Sequence, residues 1–277
     1  MEFLGFLSVL FGWIYTLSWS LSFYPQPILN CRRKSTSGTT VDFPFINTLG
    51  FLAYLTYNAL FYSSKAIREQ YALRNHGHTP SVAINDVVFA AHAMVVCAVL
   101  TTQYFFPSVW GFERAPGTRP SRLMLGVASG SFIGVAIIVF VVLSAPADAD
   151  PRTAWAWLDV VYTVSYIKLL ITVVKYVPQL VYNFRNHSTR GWSIWQILLD
   201  VLGGLLSIAQ LVLDSWLQGD WSGVTGNPAK FALGNVSMLY DVVFMTQHYV
   251  LYRDNRTAKD GEGDSLLENG EGRRRLD

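Results

Sequence analysis

The sequence predicts an all-α polytopic membrane protein whose seven transmembrane helices form two parallel triple-helix bundles joined by helix 4. Of its 277 residues, 51% are hydrophobic and only 14% are charged, whereas soluble domains carry about 25% charged residues. Seven apolar segments reach the ~20 residues that a helix needs to cross a bilayer, and one stretch of sequence occurs twice. The same figures exclude a disordered chain, and two cysteines exclude a disulfide scaffold.

The apolar segments follow one another with short polar connectors that hold most of the charges, glycines and prolines. They cover residues 3–30, 43–62, 87–106, 123–147, 154–183, 191–213 and 229–252, and the first four contain no Asp, Glu, Lys or Arg. We therefore expect a first bundle over residues 1–106, a connector helix with its flanking loops over 107–152, a second bundle over 153–252 and a disordered tail over 253–277.

Lys and Arg are distributed unequally between the two sets of connectors. One set, together with the tail, holds 14 of these residues and the opposite set holds 4. Since positive residues concentrate on the cytosolic side, we expect a cytosolic C-terminus. An odd number of spans then places the N-terminus in the lumen. The formal net charge of +2 gives no reason to expect nucleic-acid binding.

The duplicated stretch reads PQPILNCRRKSTSG at 25–38 and PQLVYNFRNHSTRG at 178–191, with seven of fourteen positions identical at an offset of 153. The same offset aligns Asn47 with Asp200, and two further residues align DVVF at 86–89 with DVVF at 241–244. Segments 1–3 therefore repeat as segments 5–7 with the same orientation. Parallel repeats of this kind place substrate sites near the membrane midplane between them.

The Pro-Gln pairs predict interrupted helices at matching points of the two repeats. Pro25 and Pro178 lack the N–H that would bond a carbonyl four residues earlier. Gln26 and Gln179 stand ready to satisfy such freed backbone groups. We expect these four residues to act as hinges. In segment 4, Gly126, Gly130 and Gly134 are spaced for close helix packing.

Two carboxylates lie deep in the predicted spans. Burying an Asp at the bilayer centre costs ~2.5–3.5 kcal/mol, so Asp200 and Asp241 are expected to face a cavity or a partner. The alternative is a structural ion pair with a lysine of the spans, which are Lys168, Lys175 and Lys230. Asp86 lies near the outer end of segment 3 and is linked to Asp241 by the DVVF match. A carboxylate that alternates between wet and dry surroundings can load and release a proton, which is the basis of proton-coupled transport.

Other chemistry finds no support in the sequence. No metal-ligand spacing, phosphate-binding loop or hydrolase motif occurs, so we expect neither an enzyme nor a cofactor or metal. His92 and His248 occur singly in apolar segments and are interpreted as packing residues with satisfied hydrogen bonds.

Longer strings carry a specific resemblance. SYIKLLITVVKYVPQLVYNF at 165–184, STRGWSIWQILLD at 188–200 and YDVVFMTQHYVLYR at 240–253 resemble the cystinosin family of PQ-loop proteins, which are lysosomal cystine/proton symporters. The resemblance implies export of L-cystine with protons from the lumen of a lysosome or vacuole to the cytosol, by alternating access in a multi-pass protein surrounded by lipid.

The resemblance also implies roles for residues. It assigns proton coupling to Asp241 and Asp86. Its substrate-binding positions are Asp200, Lys230, Asn183, Tyr176, Asn47, Trp19 and Phe23, and Gln196 stands where the family often has Asn beside the site. The tail offers EGDSLL at 262–267, an acidic dileucine pattern through Glu262, Leu266 and Leu267 that sorting adaptors recognise.

Two alternatives to cystine export stay open on the sequence. One is a PQ-loop transporter of another amino acid, such as a cationic one. The other is a seven-helix sorting or signalling receptor that transports nothing.

Overall fold

The computed structural model describes residues 2–80, 82, 84–113, 115, 118–146, 150–219 and 236–253. Within these ranges all regular secondary structure is helical, apart from one isolated bridge between Ser35 and Glu113. The expected fold class, an all-helical polytopic membrane protein, is confirmed.

The helices follow the predicted segments closely. In chain order they are α1 (Glu2–Ser22), α2 (Pro25–Arg33), α3 (Asp42–Ser63), α4 (Lys65–Arg74), α5 (Ile84–Phe105), α6 (Arg122–Ser144), α7 (Trp157–Val174), α8 (Val177–Asn186), α9 (Ile194–Gln218) and α10 (Val236–Thr246), which continues as a π-helical turn, Gln247–Leu251. Only α4, a short helix begun by a Ser64 cap, lies in what the sequence predicts as a connector.

Five helical stretches among the described residues are long and apolar enough to cross a membrane. They are Phe3–Arg33, Ile84–Phe105, Arg122–Ser144, Trp157–Asn186 and Ile194–Leu217. The other two predicted spans coincide with α3 and α10, so the count of seven stays a prediction. Large apolar side chains such as Phe3 and Phe140 are more than two thirds exposed on the outer helix faces, as a lipid-facing surface requires.

The first and fifth predicted segments are each broken at the Pro-Gln pair. Pro25 and Pro178 both lie in the first turn of a new helix, α2 and α8, where the missing N–H costs no hydrogen bond. Both of these helices end in a left-handed residue, Lys34 with φ 48° and His187 with φ 47°. Because the two end residues are also 153 apart, the sequence repeat is a structural repeat.

Two equivalent helix pairs join the repeats: α1 packs along α9, and α3 packs along α7. Each pair contains a glycine at the close approach. A Cβ on Gly203 would lie 2.5 Å from the Trp19 ring, and one on Gly50 would lie 2.8 Å from Ile171 Cγ2. The aligned glycines therefore let the repeats meet, and a space remains between the two pairs.

Helix α6 packs differently from the sequence-based expectation. A Cβ built on Gly126, Gly130 or Gly134 would find no atom within 4 Å, so the prediction that this ridge packs against another helix of the chain is wrong. Instead, α6 contacts α7 and α3 through the opposite face, where Met124 and Ala128 are buried. Four-residue spacing alone does not tell which face of an apolar helix is covered.

Candidate functional site

A cavity of about 610 Å³ lies between the repeats, within the range of small-molecule sites. It contains six of the residues implied by the family resemblance, which are Trp19, Phe23, Asn47, Tyr176, Gln196 and Asp200. Their neighbours in the lining include Phe51, Tyr54, Cys97, Lys168, Lys175 and Ser207. The cavity therefore combines aromatic surface with both acidic and basic groups.

The acidic groups come from α9 and α10. Asp200 lines the cavity and interacts with the side chains of Asp241 and Tyr176. Asp241 lies behind it with no exposed surface, and neither of its carboxylate oxygens has hydrogen-bond geometry with any described group. Two adjoining carboxyls disfavour each other's ionisation, so this pair is suited to hold a proton.

The basic groups come from α7 and from the residue that caps its C-terminal end. Lys168 and Lys175 are seven residues apart, which is about 10.5 Å along a helix and returns to the same face. The Lys168 Nζ lies 4.1 Å from the ring centre of Phe51, and the Lys175 Nζ lies 4.5 Å from that of Tyr176. These cation–π contacts hold the ammonium groups beside the cavity.

No carboxylate pairs with these two lysines within the ranges described above. The ion pairs found there are Lys65–Glu69 and Arg74–Asp159. The alternative of a structural ion pair between Asp200 or Asp241 and a lysine of α7 is therefore not realised. Lys230 lies outside the described residues. Sequence reasoning missed Lys168 and Lys175 as cavity residues, although two lysines seven apart in an apolar segment are a detectable signal.

An aromatic cluster connects the cavity lining to the loops 34–41 and 187–193. Phe43 stacks on Tyr176 at 5.2 Å between ring centres and meets Trp192 edge-on at 5.3 Å. Trp192 in turn stacks on Phe244 at 5.1 Å. These four rings come from α3, α8's cap, the loop before α9 and α10, so both repeats contribute.

Beyond these rings, Gln26 binds the backbone of the opposite repeat. Its Nε2 donates to the Gly191 carbonyl at 2.9 Å, and its Oε1 accepts from the Ser193 N–H at 2.8 Å. The side chain is 1% exposed. The expectation that this glutamine satisfies carbonyls freed in its own helix is therefore wrong.

The second repeat makes the same bonds in reverse. Gln179 Nε2 donates to the Gly38 carbonyl at 3.4 Å, and its Oε1 accepts from the Thr40 N–H at 3.0 Å. Gly38 and Gly191 are the touching points of the two loops, since a Cβ on Gly38 would lie 1.9 Å from the Arg190 carbonyl oxygen. We call these two sets of bonds the reciprocal amide clamps.

Each clamp extends to one further helix, α5 for the first clamp and the π-helical turn after α10 for the second. Gln26 donates to Asn30, which donates to Gln103 at 2.9 Å. Gln179 donates to Asn183, which donates to Gln247 at 3.0 Å. Asn183 thus lies in this buried amide chain and not in the lining of the cavity.

The amide chains equate Gln103 with Gln247, and this equivalence corrects the alignment of the third helices. Counting back six residues, Asp241 corresponds to Cys97 and not to Asp86, so the DVVF match is not the structural register. Asp86 lies eleven residues before Cys97, about 16 Å along the helix. It is half-buried in the first turn of α5, within electrostatic range of Tyr54.

The two histidines of the apolar segments, the two cysteines and the sorting residues lie outside the clamps. His92 binds the Tyr24 hydroxyl at 2.7 Å and His248 binds the Thr189 hydroxyl at 2.8 Å, so their interpretation as satisfied packing residues is confirmed. Among the described residues Cys31 and Cys97 are free thiols, and no three potential ligands cluster for a metal. The sorting residues Glu262, Leu266 and Leu267 lie outside the described part of the chain.

Comparison with known proteins places this geometry in a family. The profile of the PQ loop repeat matches residues 7–67 and 160–220. The chain is 40% identical to "Cystinosin" of Drosophila melanogaster over 93% of its own length and 61% of that protein, so it spans about three fifths of this relative. It is 40% identical to "Cystinosin homolog" of Arabidopsis thaliana, covering 91% of the chain and 88% of the relative.

A more distant relative carries a functional name. "Cystine transporter" of Saccharomyces cerevisiae is 27% identical over 88% of this chain and 94% of its own length. The two matched repeats also begin 153 residues apart, the offset of the duplicated Pro-Gln stretch. With its broken helices, reciprocal clamps and central charged cavity, the chain belongs to the cystinosin family of PQ-loop proteins.

Proposed function

We propose that this protein exports L-cystine from the lumen of an acidic organelle, a lysosome or vacuole, to the cytosol together with protons. The observation that carries the proposal is a cavity lined by Lys168, Lys175 and Asp200, with Asp241 behind Asp200 and no ion pair between these lysines and carboxylates in the described residues. Buried groups that leave each other unpaired are costly, so a ligand that pairs with both is favoured. The names of the relatives agree with cystine as that ligand.

The substrate has the complementary groups. L-cystine carries two carboxylates, two ammonium groups and a disulfide in the middle. Lys168 and Lys175, with Lys230 as a further candidate, would bind the carboxylates, and Asp200 with Asn47 would bind an ammonium group. Aromatic surface of Trp19 and Phe23 would flank the apolar middle, while Gln196 adjusts the polar contacts beside the site.

Proton coupling is assigned to the carboxyl pair. Asp241 would accept a proton when the cavity faces the acidic lumen and release it when the cavity faces neutral solution. The gradient supplies ~1.4 kcal/mol per pH unit for each proton. Asp86, in the first turn of α5, is proposed as a second coupling residue nearer the lumen.

The proposed orientation rests on the charges at the end of the molecule that carries the clamps. The last turns of α2 and α8 and the loops that follow them carry Arg32, Arg33, Lys34, Arg185 and Arg190, which favours the cytosolic side. Alternating access would then require the clamps and the aromatic cluster to separate, with the helix breaks at Pro25 and Pro178 as hinges. The dileucine pattern at Glu262, Leu266 and Leu267 would direct the protein to its organelle through sorting adaptors.

Uptake of labelled cystine into proteoliposomes under an imposed pH gradient tests the proposal. Wild type should show uptake that rises with the gradient, whereas Asp241→Asn should retain binding and lose this dependence. Asp214→Asn is the matched control, because Asp214 lies on α9 outside the cavity lining and binds Ser8. It should keep the gradient dependence.

Three outcomes would contradict the proposal. Wild-type uptake that ignores the gradient would remove proton coupling. Saturable cystine binding without any uptake would favour the receptor alternative, and uptake of a cationic amino acid in preference to cystine would favour the other transporter.

Lys175→Gln should raise the KM for cystine at least tenfold, whereas Lys65→Gln, on an exposed side chain, should leave it unchanged.

A further inference from the structure

Cys97 brings a free thiol into the cavity wall from α5. Its side chain is 4% exposed and belongs to the lining, while Cys31 is exposed at another part of the protein. Asn47 Nδ2 donates to the Cys97 Sγ at 3.2 Å. The Oδ1 of the same amide is buried and has no hydrogen-bond partner among the described residues, on a residue that is 2% exposed. The thiol therefore lies beside the Asn47 Oδ1, an acceptor that is available for a hydrogen bond from a ligand.

We propose that Cys97 is a thiol–disulfide exchange site for a disulfide bound in the cavity, and that the mixed disulfide blocks transport until a thiol removes it. This inference rests on the proposed function, which supplies the disulfide. The Cys97 thiolate attacks one sulfur of cystine, the cystine S–S bond breaks, and a protein–cysteine disulfide forms. The departing cysteine thiolate takes up the proton that the Cys97 thiol has lost, so no other oxidant or reductant is consumed.

The chemistry depends on which solution fills the cavity. The thiolate is the attacking species, and its fraction falls about tenfold for each pH unit below the pKa of a thiol. The titratable groups that share the cavity wall with Cys97 are Lys168, Lys175, Asp200, Tyr54 and Tyr176. From α3 it meets Asn47 and Phe51, which carry no charge. Helix α2 contacts α5 through the amide of Asn30, further along the helix.

While cystine binds from an acidic lumen, the Cys97 thiol is therefore protonated and does not attack it. The same cavity, once open to neutral cytosolic solution, exposes the thiol to cargo under conditions that favour attack. A mixed disulfide would add one cysteinyl group inside the lining and fill part of the substrate space. Reduction by a small thiol on the neutral side would restore the free cavity.

The experiment uses the full chain in proteoliposomes, in the Cys31→Ser background, so that Cys97 is the single thiol. After incubation with cystine at pH 8, intact mass and peptide mapping should show one cysteinyl group on Cys97, and dithiothreitol should remove it. The adduct should form at least fiftyfold more slowly at pH 6, and subsequent uptake of labelled cystine should fall in proportion to the modified fraction. The control Cys31→Ser/Cys97→Ser should acquire no adduct, and its uptake should be insensitive to the pretreatment.

Absence of the adduct in vesicles that transport cystine would overturn the inference while leaving the proposed function standing. An adduct that forms without any effect on uptake would also overturn it, because the thiol would then lie outside the substrate path. If the vesicles neither transport cystine nor form the adduct, both proposals fail, and the separate uptake measurement shows that the transport assignment is the cause.

Discussion

At the scale of single residues, Gly203 sets how closely the repeats approach. The Trp19 ring lies against its backbone, and the Trp19 Nε1 donates to the neighbouring Asp200 carbonyl at 3.3 Å. A side chain at position 203 would push the ring toward the cavity. Gly203 lies 153 residues after Gly50, which is the offset of the duplicated stretch, although what it touches becomes known only from the structure.

Gly203→Ala should therefore destabilise the protein. A methyl group placed 2.5 Å from the Trp19 ring forces a shift that costs ~1–3 kcal/mol, which a lower melting temperature in detergent would reveal. Gly130→Ala is the matched control, since its Cβ would meet no atom within 4 Å. Its melting temperature should stay equal or rise slightly, because Ala is ~1 kcal/mol better than Gly within a helix. Equal melting temperatures for the two variants would contradict the proposed contact.

At the scale of elements, the interrupted helices matter because of what their second halves hold. Helices α2 and α8 each begin at the Pro-Gln pair and bury the glutamine against the opposite loop. The amide bonds to Gly191 and Gly38 connect groups that are 165 and 141 residues apart in the chain. Rotation at either break is thus opposed by contacts made with the other repeat.

Gln179→Ala should shift the protein toward the state that is open at the clamped end. The change leaves the Thr40 N–H, the Gly38 carbonyl and the Asn183 Oδ1 without the Gln179 amide, at a cost of ~1–3 kcal/mol, or roughly 5- to 150-fold in an equilibrium. The readout is labelling of Ser193→Cys by a membrane-impermeant thiol reagent, in a chain lacking Cys31 and Cys97. Labelling should accelerate by a factor within that range.

The control for this measurement is Gln210→Ala. The Gln210 amide binds Ser8 at the other end of the α1–α9 pair, so its loss should leave labelling at position 193 unchanged. Equal acceleration by the two alanine variants would mean general loosening of the helices and would contradict a local clamp.

The elements show what local pattern could and could not predict. Span positions, helix breaks and the repeat were predictable because they depend on apolar runs, proline geometry and identities such as Pro25 with Pro178. The register of the third helices was not, since DVVF is a common apolar string and the true equivalence of Cys97 with Asp241 depends on partners in other helices. Pairing of buried charges likewise depends on side-chain directions that the sequence does not contain.

At the scale of the whole molecule, the two repeats meet along two helix pairs, and each pair has polar ties away from the clamped end. On the α3–α7 side, Arg74 donates to both carboxylate oxygens of Asp159, at 2.6 and 2.9 Å. The same guanidinium donates to the carbonyls of Pro151 and Ala154. This strap fastens α4 to the beginning of α7, so the two elements should move together during any conformational change.

Arg74→Ala should lower the melting temperature, because about four charge-assisted hydrogen bonds are lost and each such bond contributes ~1.5–3 kcal/mol. Arg74→Lys should recover only part, since a lysine cannot make the two-point contact. Lys65→Ala removes the exposed pair with Glu69 and should change nothing measurable. Equal melting temperatures for Arg74→Ala and Lys65→Ala would contradict the proposed stabilisation by the strap.

The Arg74 side of the strap should not respond to the acidity of an organelle. The hydrogen bond to Asp159 raises the pKa of the Arg74 guanidinium. A raised pKa contributes stability that is fully present below the unfolded-state value and is lost only as pH rises through the folded value. The guanidinium therefore contributes equally at pH 5 and pH 7. Melting curves at these two pH values should show the same difference between wild type and Arg74→Lys.

The reciprocal amide clamps limit how the sequences of the two duplicated halves can change. Each half supplies a glutamine that binds the loop of the other half and a loop that binds the glutamine of the other half. Neither half therefore satisfies these hydrogen bonds by itself. A substitution that reshapes the Gly38 turn should require a compensating substitution at Gln179, in the opposite half of the chain. Substitutions at the glutamines and at the loops they bind should therefore occur together. A chimera that joins halves from two distant relatives should pack poorly where the two loops meet, even where each half folds well.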